Sequence, residues 1–268
     1  MSDDLITYEV KDRAAVITLN NPKKLNALSI PQYDTICKLL ERANAEEDTV
    51  ITLLQSTGRV FSAGANADSI VGQDAELETW LNMSVAKQTF LVQTFLAHKK
   101  ILAVALNGPV IGLSAAFVAL CDLVYVHNAA KTFFLTPFAN IGILAEGGTS
   151  ATLPMRVGWS KAAEALLLSK RISGDDLQRA GFFNKDYRGQ FKSVEEFNEV
   201  VLKELLDATE NLHENSIIQN KELLKAIFKP KISEINSQEV SRGVYKWTSG
   251  VPMDRFKKLL TGELKHKL

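Results

Sequence analysis

The amino-terminal half of the chain alternates short apolar runs with amphipathic stretches. Ala14–Leu19 and residues 50–55 are rich in Val, Ile, Leu and Thr, a composition typical of buried strands. Between these runs, Ser29 and Gln32 have the spacing of a helix capping box, and apolar residues with helical spacing follow them. The pattern therefore predicts a strand, a helix and a second strand.

The same alternation continues to residue 135. Apolar patterns with helical spacing cover residues 80–97 and 113–120, and strand-like runs cover residues 101–106, 123–126 and 132–135. Alternation of strands and helices is typical of α/β folds, in which helices pack on sheets. We therefore predict an α/β fold for this part of the chain.

Helical patterns predominate after Gly158. An N-cap pattern lies at residues 173–176, and amphipathic stretches cover residues 194–207, 213–228 and 252–261. The carboxy-terminal third is therefore predicted to be helical.

We expect the two parts of the chain to differ in role. Residues 1–198 form the predicted α/β core with the active site, and residues 199–268 form a helical region for oligomerisation and for covering the pocket. Residues 229–231, around Pro230, are the clearest candidate for a linker.

Charge and composition narrow the classes of function. Lys plus Arg equals Asp plus Glu at 31 each, so there is no net positive charge to attract nucleic acid or an anionic membrane. The longest apolar stretch, residues 113–126, is interrupted by Ser114 and Asp122 and is shorter than the roughly 20 residues that a membrane-spanning helix needs. We therefore expect no nucleic-acid partner and no membrane insertion.

Cysteine and histidine spacing gives no indication of metal chemistry. Cys37 and Cys121 lie in apolar helical patterns, where a free buried thiol is the expected state. The four histidines show no metal-ligand spacing with one another or with these cysteines. We therefore expect neither a metal site nor a cofactor.

Two glycine-containing loops, residues 61–66 and 107–113, each follow a predicted strand and open a predicted helix. Glycine lets the backbone approach a ligand closely, and the free N–H groups at a helix start can bind developing negative charge. Two such loops could bracket one oxygen atom. Each loop by itself also has the composition of an ordinary tight turn between a strand and a helix.

These two loops, together with residues 20–28 and 147–149, come in the order and spacing of the crotonase superfamily of enoyl-CoA hydratases and isomerases. The resemblance covers most of residues 5–190. It implies a crotonase-like spiral of ββα units and a homotrimer or homohexamer. It also implies a fatty enoyl-CoA substrate and no cofactor, since coenzyme A is part of that substrate. It also implies that the backbone amides of Ala65 and Leu113 form an oxyanion hole for a thioester enolate.

The carboxylates of this chain differ from those of the family's hydratases. By position, Ala116 and Phe138 replace the two glutamates with which hydratases activate water, so the resemblance implies negligible hydration. Glu146 instead resembles the single acid of the fungal peroxisomal Δ3,Δ2-enoyl-CoA isomerases, to which residues 107–122 are especially similar. One carboxylate suffices for a 1,3 proton shift, because the base that takes a proton from C2 can return it at C4. Without this resemblance, Glu146 could equally be an acid favoured by a helix dipole.

The remaining candidate site residues lie near these loops. Gln88 and Asn107 are possible polar partners for the carboxylate or the thioester; surface exposure or a turn-stabilising role is the alternative for each. The residues assigned to substrate binding are Ala63, Gly64, Asn66, Gly112, Phe138, Asn107 and Gln88. The lysines and arginines considered for the CoA phosphates include Lys23, Lys24, Lys99, Lys100, Lys257 and Lys258.

The predicted activity is conversion of cis- or trans-3-enoyl-CoA to trans-2-enoyl-CoA in β-oxidation of unsaturated fatty acids. A dienoyl-CoA isomerase is the nearest alternative, and it would need a further acid in the pocket, for which Asp68 is the nearby candidate. A non-catalytic acyl-CoA- or RNA-binding homologue is a second alternative. The neutral charge balance argues against RNA, and Glu146 argues against a silent homologue.

The last three residues, His266-Lys267-Leu268, resemble a peroxisomal import address, which must lie at the extreme carboxyl terminus. They predict binding to the import receptor and a location in the peroxisomal matrix. A random helical tail could also end in this way.

Overall fold

The computed structural model describes residues 5–188 and 190–265. Its strands are β1 (Ile6–Lys11), β2 (Ala14–Leu19), β3 (Ile51–Ser56), β4 (Ile101–Leu106), β5 (Val110–Ile111), β6 (Leu123–Val126), β7 (Phe133–Leu135), β8 (Ile172–Ser173) and β9 (Lys185–Asp186). Within these residues the larger sheet has the order β1-β2-β3-β4-β6-β9, and the smaller sheet has the order β5-β7-β8. β1 pairs antiparallel with β2, and the rest of the larger sheet is parallel.

The helices surround these sheets and dominate the carboxy-terminal third. They are α1 (Ile30–Ala45), α2 (Leu77–Trp80), α3 (Lys87–Ala97), α4 (Leu113–Leu120), α5 (Thr149–Val157), α6 (Trp159–Leu168), α7 (Gly174–Arg179), α8 (Val194–Thr209), α9 (Glu214–Ala226), α10 (Lys229–Trp247) and α11 (Val251–Thr261). A π-helical segment, Leu81–Ala86, connects α2 to α3. α10 packs against α3, α5 and this π-helical segment, so the carboxy-terminal helices reach the middle of the fold.

The central strands are buried on both faces, which explains their continuous apolar composition. Ile17 of β2 points into the main core, which α1, α3 and α4 complete. Its neighbour Val16 points to the opposite face and belongs to a second cluster with Phe197 and Val201 of α8. A parallel sheet covered on both sides is the α/β arrangement that the sequence predicts.

Two predicted N-caps are confirmed in detail. The Ser29 amide donates a hydrogen bond to Gln32 Oε1 at 2.8 Å, which completes the capping box of α1. At the start of α7, the Asp176 amide donates to Ser173 Oγ at 3.1 Å. The bounds of the predicted strands and helices shift by a few residues, as for β3, which begins at Ile51 rather than at residue 50.

The linker predicted at residues 229–231 is wrong, because these residues form the first turn of α10. Proline is accepted in a first helical turn, where its missing N–H would have no acceptor in any case. The strands β8 and β9 were also not predicted, since runs of two residues leave no periodicity.

The division predicted at residue 198 falls inside α8. Phe197 and Val201 of this helix are fully buried against the sheet, and Asn198 Nδ2 donates to the Ser56 carbonyl at 3.1 Å. α8 therefore packs as part of the α/β core, and the helices that follow it carry what remains of the predicted helical region.

Three further predictions concern the chain ends, membranes and thiols. The tripeptide His266-Lys267-Leu268 lies outside the described residues. In the part of the chain that the structure describes, every helix is too short or too polar to cross a bilayer. Cys37 and Cys121 are both buried free thiols, as the sequence predicts.

Candidate active site

The first glycine-containing loop pairs with Leu28 through an isolated parallel β-bridge at Ala65. The Leu28 amide donates to the Gly64 carbonyl at 2.8 Å, and the Asn66 amide donates to the Leu28 carbonyl at 2.8 Å. This pairing uses the groups on either side of Ala65 and turns the Ala65 amide to the opposite side of the loop. On that side lies a cavity of about 250 Å³, which Ala65 lines.

The second glycine-containing loop lies directly against the first. The Ile111 amide donates to the Ser62 carbonyl at 3.0 Å. Gly64 and Gly112 both have positive φ, at 82° and 61°. A Cβ atom on Gly64 would lie 2.7 Å from the Ile111 carbonyl oxygen, so only glycine permits this approach of the two backbones.

A buried chain of hydroxyl groups joins the two loops from below. Ser62 Oγ donates its one hydrogen to the Asn26 carbonyl at 2.8 Å, so it must accept from Ser114 Oγ, which lies 2.8 Å away. Ser114 in turn accepts from the Tyr33 hydroxyl at 3.3 Å. Ser114 follows Leu113 in the first turn of α4, so this chain fixes α4 relative to the first loop.

The amides of Ala65 and Leu113 are open to a ligand. Among residues 5–188 and 190–265, neither amide has a backbone acceptor. Both residues line the cavity. Two preorganised N–H groups in an apolar cavity can stabilise an oxygen atom that becomes negative during a reaction.

Glu146 lines the same cavity, between the loops and the carboxy-terminal helices. Burial raises the pKa of Glu146 to about 7; hydrogen bonds with Gln88 and Trp247 oppose this rise, and the negative charge of Glu239 adds to it. A carboxyl group with this pKa exchanges protons readily near neutral pH. It can therefore act both as a base and as an acid.

The loop around Glu146 packs tightly against α4. A Cβ atom on Gly147 would lie 2.6 Å from the Ala116 methyl group. Ala116, which is fully buried, therefore lies directly against Gly147, the residue that follows Glu146. A longer side chain at residue 116 would displace this loop.

The rest of the cavity wall is mainly apolar and aromatic. Trp80 and Trp247 stack with ring centroids 4.2 Å apart, and Phe256 of α11 stacks next to Trp247. Phe138 and Ile143 are buried in the same cluster. Such a wall suits a hydrocarbon chain and excludes water from the carboxyl group.

Seven predicted site residues line this cavity: Ala63, Ala65, Gln88, Gly112, Leu113, Phe138 and Glu146. Gly64 lies just behind the wall, where it makes the close approach to the second loop. Asn66 caps the short turn that follows, because its Oδ1 accepts from the Asp68 amide at 3.1 Å. That role explains why asparagine is tolerated here.

Asn107 does not contact the cavity, contrary to the prediction. Its Oδ1 accepts from Ser56 Oγ at 2.8 Å, and its Nδ2 donates to the Gly58 carbonyl at 2.6 Å. Through these bonds Asn107 holds a turn next to the first loop. The turn-stabilising alternative is therefore the one that the structure supports.

Two charged candidates also lie elsewhere. Asp68 is exposed, 3.7 Å from Lys24, and is not part of the cavity wall. Lys100 is buried and donates to Thr49 Oγ1 at 2.6 Å and to the Glu46 carbonyl. Lys100 is therefore not available to bind phosphates.

Several cavity residues were missed because they come from distant helices. Tyr33 of α1 and Lys87 of α3 contribute polar groups, and α10 and α11 contribute the aromatic wall. Their sequence pattern is that of amphipathic helices, which does not indicate what the apolar side covers. Within the described residues, no group of three or more His, Cys, Asp or Glu side chains is arranged to hold a metal.

Comparisons with known proteins agree with this geometry. The family model for enoyl-CoA hydratase/isomerase matches residues 9–244. The chain is 37% identical over 274 residues to the 3,2-trans-enoyl-CoA isomerase of Saccharomyces cerevisiae, covering 99% of this chain and 98% of that protein. It is 40% identical over 280 residues to the Delta(3,5)-Delta(2,4)-dienoyl-CoA isomerase of Pyricularia oryzae, with 98% of each covered.

The fold also matches solved structures. That of Pseudomonas aeruginosa OdaA aligns with a TM-score of 0.83 over 96% of this chain and 99% of that chain. Sequence identity to it is 22%, so this similarity concerns the fold alone. The predicted α/β architecture is confirmed by this match.

Proposed function

Because the chain belongs to the enoyl-CoA hydratase/isomerase family, we propose that it is an enoyl-CoA isomerase that converts cis- or trans-3-enoyl-CoA to trans-2-enoyl-CoA. The observation that carries this proposal is the combination of one carboxylate, Glu146, with two open amides in an otherwise apolar cavity. Among the described residues that line the cavity, Glu146 is the only Asp or Glu.

In the proposed mechanism, the thioester oxygen binds between the amides of Ala65 and Leu113. The Glu146 carboxylate removes a proton from C2, and the electron pair of the broken C–H bond moves into the thioester as an enolate. Glu146 then returns the proton to C4 while the enolate collapses, so the double bond moves from C3–C4 to C2–C3. Stabilising the enolate oxygen is what makes removal of this weakly acidic proton fast.

Hydration is not expected from this site. Ala116 and Phe138 are apolar, and both are buried beside the Glu146 loop. No second carboxylate is therefore available in the described cavity wall to activate a water molecule. The apolar wall also keeps bulk water from the enolate.

A dienoyl-CoA isomerase is the second candidate, and the relative from Pyricularia oryzae favours it. The exposed position of Asp68 counts against it, because this residue would have to supply the further acid. Turnover of a 3-enoyl-CoA, a 3,5-dienoyl-CoA and a 2-enoyl-CoA by one purified sample separates the possibilities. We expect isomerisation of the first substrate to be fastest, and comparable hydration of the third would contradict the proposal.

We further propose that the protein acts in the peroxisomal matrix as part of β-oxidation of unsaturated fatty acids. The support is the terminal tripeptide, His266-Lys267-Leu268. Deleting it should leave activity in vitro unchanged and leave the protein in the cytosol when the intact chain is absent. Unchanged import of the deleted form, expressed alone, would contradict the assignment.

A homo-oligomer, either a trimer or a hexamer, is also part of the proposal. The support is the distribution of side chains on α9 and at Ile227, the residue that follows it: a charged side chain is buried and apolar side chains are exposed. Lys221 points inward and makes an ion pair with Asp122 at 2.6 Å, whereas Leu223, Leu224 and Ile227 are each more than 70% exposed. An exposed apolar surface of this kind is typical of subunit contacts.

A further inference from the structure

We propose that Glu239, on α10, is a positioning residue: its carboxylate fixes the loop that carries Glu146 and supplies a negative charge behind it. The inference rests on the proposed function, since it concerns how Glu146 is held for proton transfer. Glu239 does not line the main cavity, so we assign it no direct contact with the substrate.

Glu239 contacts the loop with both of its carboxylate oxygens. The Gly148 amide donates to Oε2 at 2.7 Å, and the Ser150 amide donates to Oε1 at 2.9 Å. The Ser150 hydroxyl also donates to Oε1. These donors stand at the start of α5, where helix N–H groups lack partners and a negative charge is favoured.

The loop needs such support because its own backbone is unusually free. Gly147 and Gly148 directly follow Glu146, and their φ angles are 66° and 76°. Glycine has more accessible backbone conformations than any other residue, so these two residues alone would not fix Glu146. The two contacts from Glu239 close this segment against a helix about 90 residues away in sequence.

Glu239 is buried against the segment that directly follows Glu146. Only 7% of Glu239 is exposed. Burial raises the pKa of Glu239, and the three hydrogen bonds from Ser150 and Gly148 oppose that rise. Arg242, one turn further along α10, borders the same small cavity behind the loop.

The other titratable groups near Glu146 come from α1 and α3. Tyr33 lies in the cavity, and the charge of Glu146 is one of the causes that raise its pKa, after burial. Lys87 also lines the cavity, and its ammonium group is paired with Asp34. The negative charge of Glu239 raises the pKa of Glu146, although burial is the largest cause of that rise.

Two substitutions separate the roles of length and charge. Glu239→Gln keeps the length, removes the charge and places an NH₂ donor against one of the two amide donors. Glu239→Asp keeps the charge but is one methylene too short to hold both contacts. Glu234→Gln is the matched control, because Glu234 lies on the same helix with its side chain 55% exposed, paired with Lys231.

We expect Glu239→Gln to lower kcat about tenfold or more, with KM changed less than about threefold, since misplacing a catalytic group costs rate rather than binding. Its acid limb in kcat/KM should move to lower pH, because the charge that holds a proton on Glu146 is gone. Glu239→Asp should lower kcat similarly and leave the acid limb where it is. Glu234→Gln should match the wild type in both respects.

A folded Glu239→Gln variant with wild-type kcat and an unmoved acid limb overturns the inference. If that variant does not fold, ¹³C-glutamate NMR of the wild type gives the test. The Glu146 carboxyl signal, assigned by its loss in Glu146→Gln, should show a second inflection as Glu239 titrates. A Glu146 titration curve with one inflection, and no response to Glu239, overturns the inference.

The same assay separates the two proposals. No wild-type turnover of 3-enoyl-CoA would refute the proposed function itself. Wild-type turnover that is lost in Glu146→Gln but normal in Glu239→Gln would refute the role of Glu239 alone.

Discussion

At the scale of single residues, the proposed proton transfer depends on one side chain, Glu146. Among the described residues, the other polar groups that line the cavity with Glu146 are amides, hydroxyl groups, indole N–H groups and the amino group of Lys87, which pairs with Asp34. None of these is a base near neutral pH. In the proposed mechanism, the same carboxyl group therefore both accepts and donates the proton.

Replacing Glu146 by glutamine should separate binding from chemistry. Glutamine keeps the size of the side chain and removes its basicity, so turnover should fall by roughly 10²–10⁴ while acyl-CoA affinity changes little. Steady-state kinetics and a binding titration measure the two effects. Near-normal turnover would assign the base to another residue.

The pH dependence of the wild type follows from the pKa of Glu146, which burial raises to about 7. The base must be ionised to accept a proton from C2, so kcat/KM should increase with pH and level off above about pH 7. An acid limb near pH 4.5, the ordinary value for a glutamate, would contradict burial as the cause.

Glu146 should also make stability depend on pH. Its pKa is higher in the folded state than in the unfolded chain, so its stabilising contribution is complete below pH 4.5 and is lost as pH rises through 7. Across this range the loss is about 3 kcal/mol. Glu146→Gln removes the effect, so the variant should gain stability relative to the wild type at pH 8 and gain much less at pH 5, where only about a quarter of the loss has occurred. Urea unfolding at both pH values measures this, and a constant difference would contradict it.

The sequence indicated these residues only where the local pattern carried the information. The glycines of both loops indicated helix starts with free backbone N–H groups. Glu146 lies in a segment that resembles the isomerases of the family. Asn107 was a possible polar partner with a turn-stabilising role as its alternative, and local sequence could not decide between them, because its partners Ser56 and Gly58 lie in a turn whose position depends on the tertiary fold. Glu239 could not be recognised, because its partners Gly148 and Ser150 are about 90 residues away.

At the scale of elements, the two glycine-containing loops form one unit. Gly64→Ala would force a side chain onto a φ of 82° and place its Cβ 2.7 Å from the Ile111 carbonyl. The loops should separate, and kcat should fall by about 10²-fold, the usual effect of losing one oxyanion donor. Gly72→Ala is the matched control, since a Cβ there meets nothing within 4 Å. Equal activity of the two variants would show that the loops tolerate separation.

Helix boundaries in the last third were harder to predict. Pro230 looked like a break, yet it lies in the first turn of α10. No local pattern indicates that Trp247 lies next to Glu146, because amphipathic spacing identifies the buried side of a helix and not the residues that it packs against. Contacts between helices that are distant in sequence determine which residues the buried side of each helix packs against.

At the scale of the whole molecule, the exposed apolar residues at the end of α9 and at its C-cap should control assembly. Replacing Leu223, Leu224 and Ile227 by serine removes apolar area worth about 1.5–3 kcal/mol per side chain when buried. Sedimentation should then show 29.6 kDa monomers instead of trimers or hexamers. Val10→Ser, at an exposed residue of the edge strand β1, is the control and should not change the mass. A wild type that is already monomeric at micromolar concentration would contradict the proposed oligomer.

The stacked pair of Trp80 and Trp247 gives the protein an internal optical reporter. The chain contains three tryptophans, and the third, Trp159, is 78% exposed. Two nearly parallel indole rings with centroids 4.2 Å apart are close enough to couple electronically, so their absorption and fluorescence should respond to a change in their contact. Trp80 and Trp247 both line the cavity, so an acyl chain that fills it should change their environment, and Trp159→Phe would remove the background emission. Occupancy of the site could then be followed by light alone, without labelled ligand and without turnover.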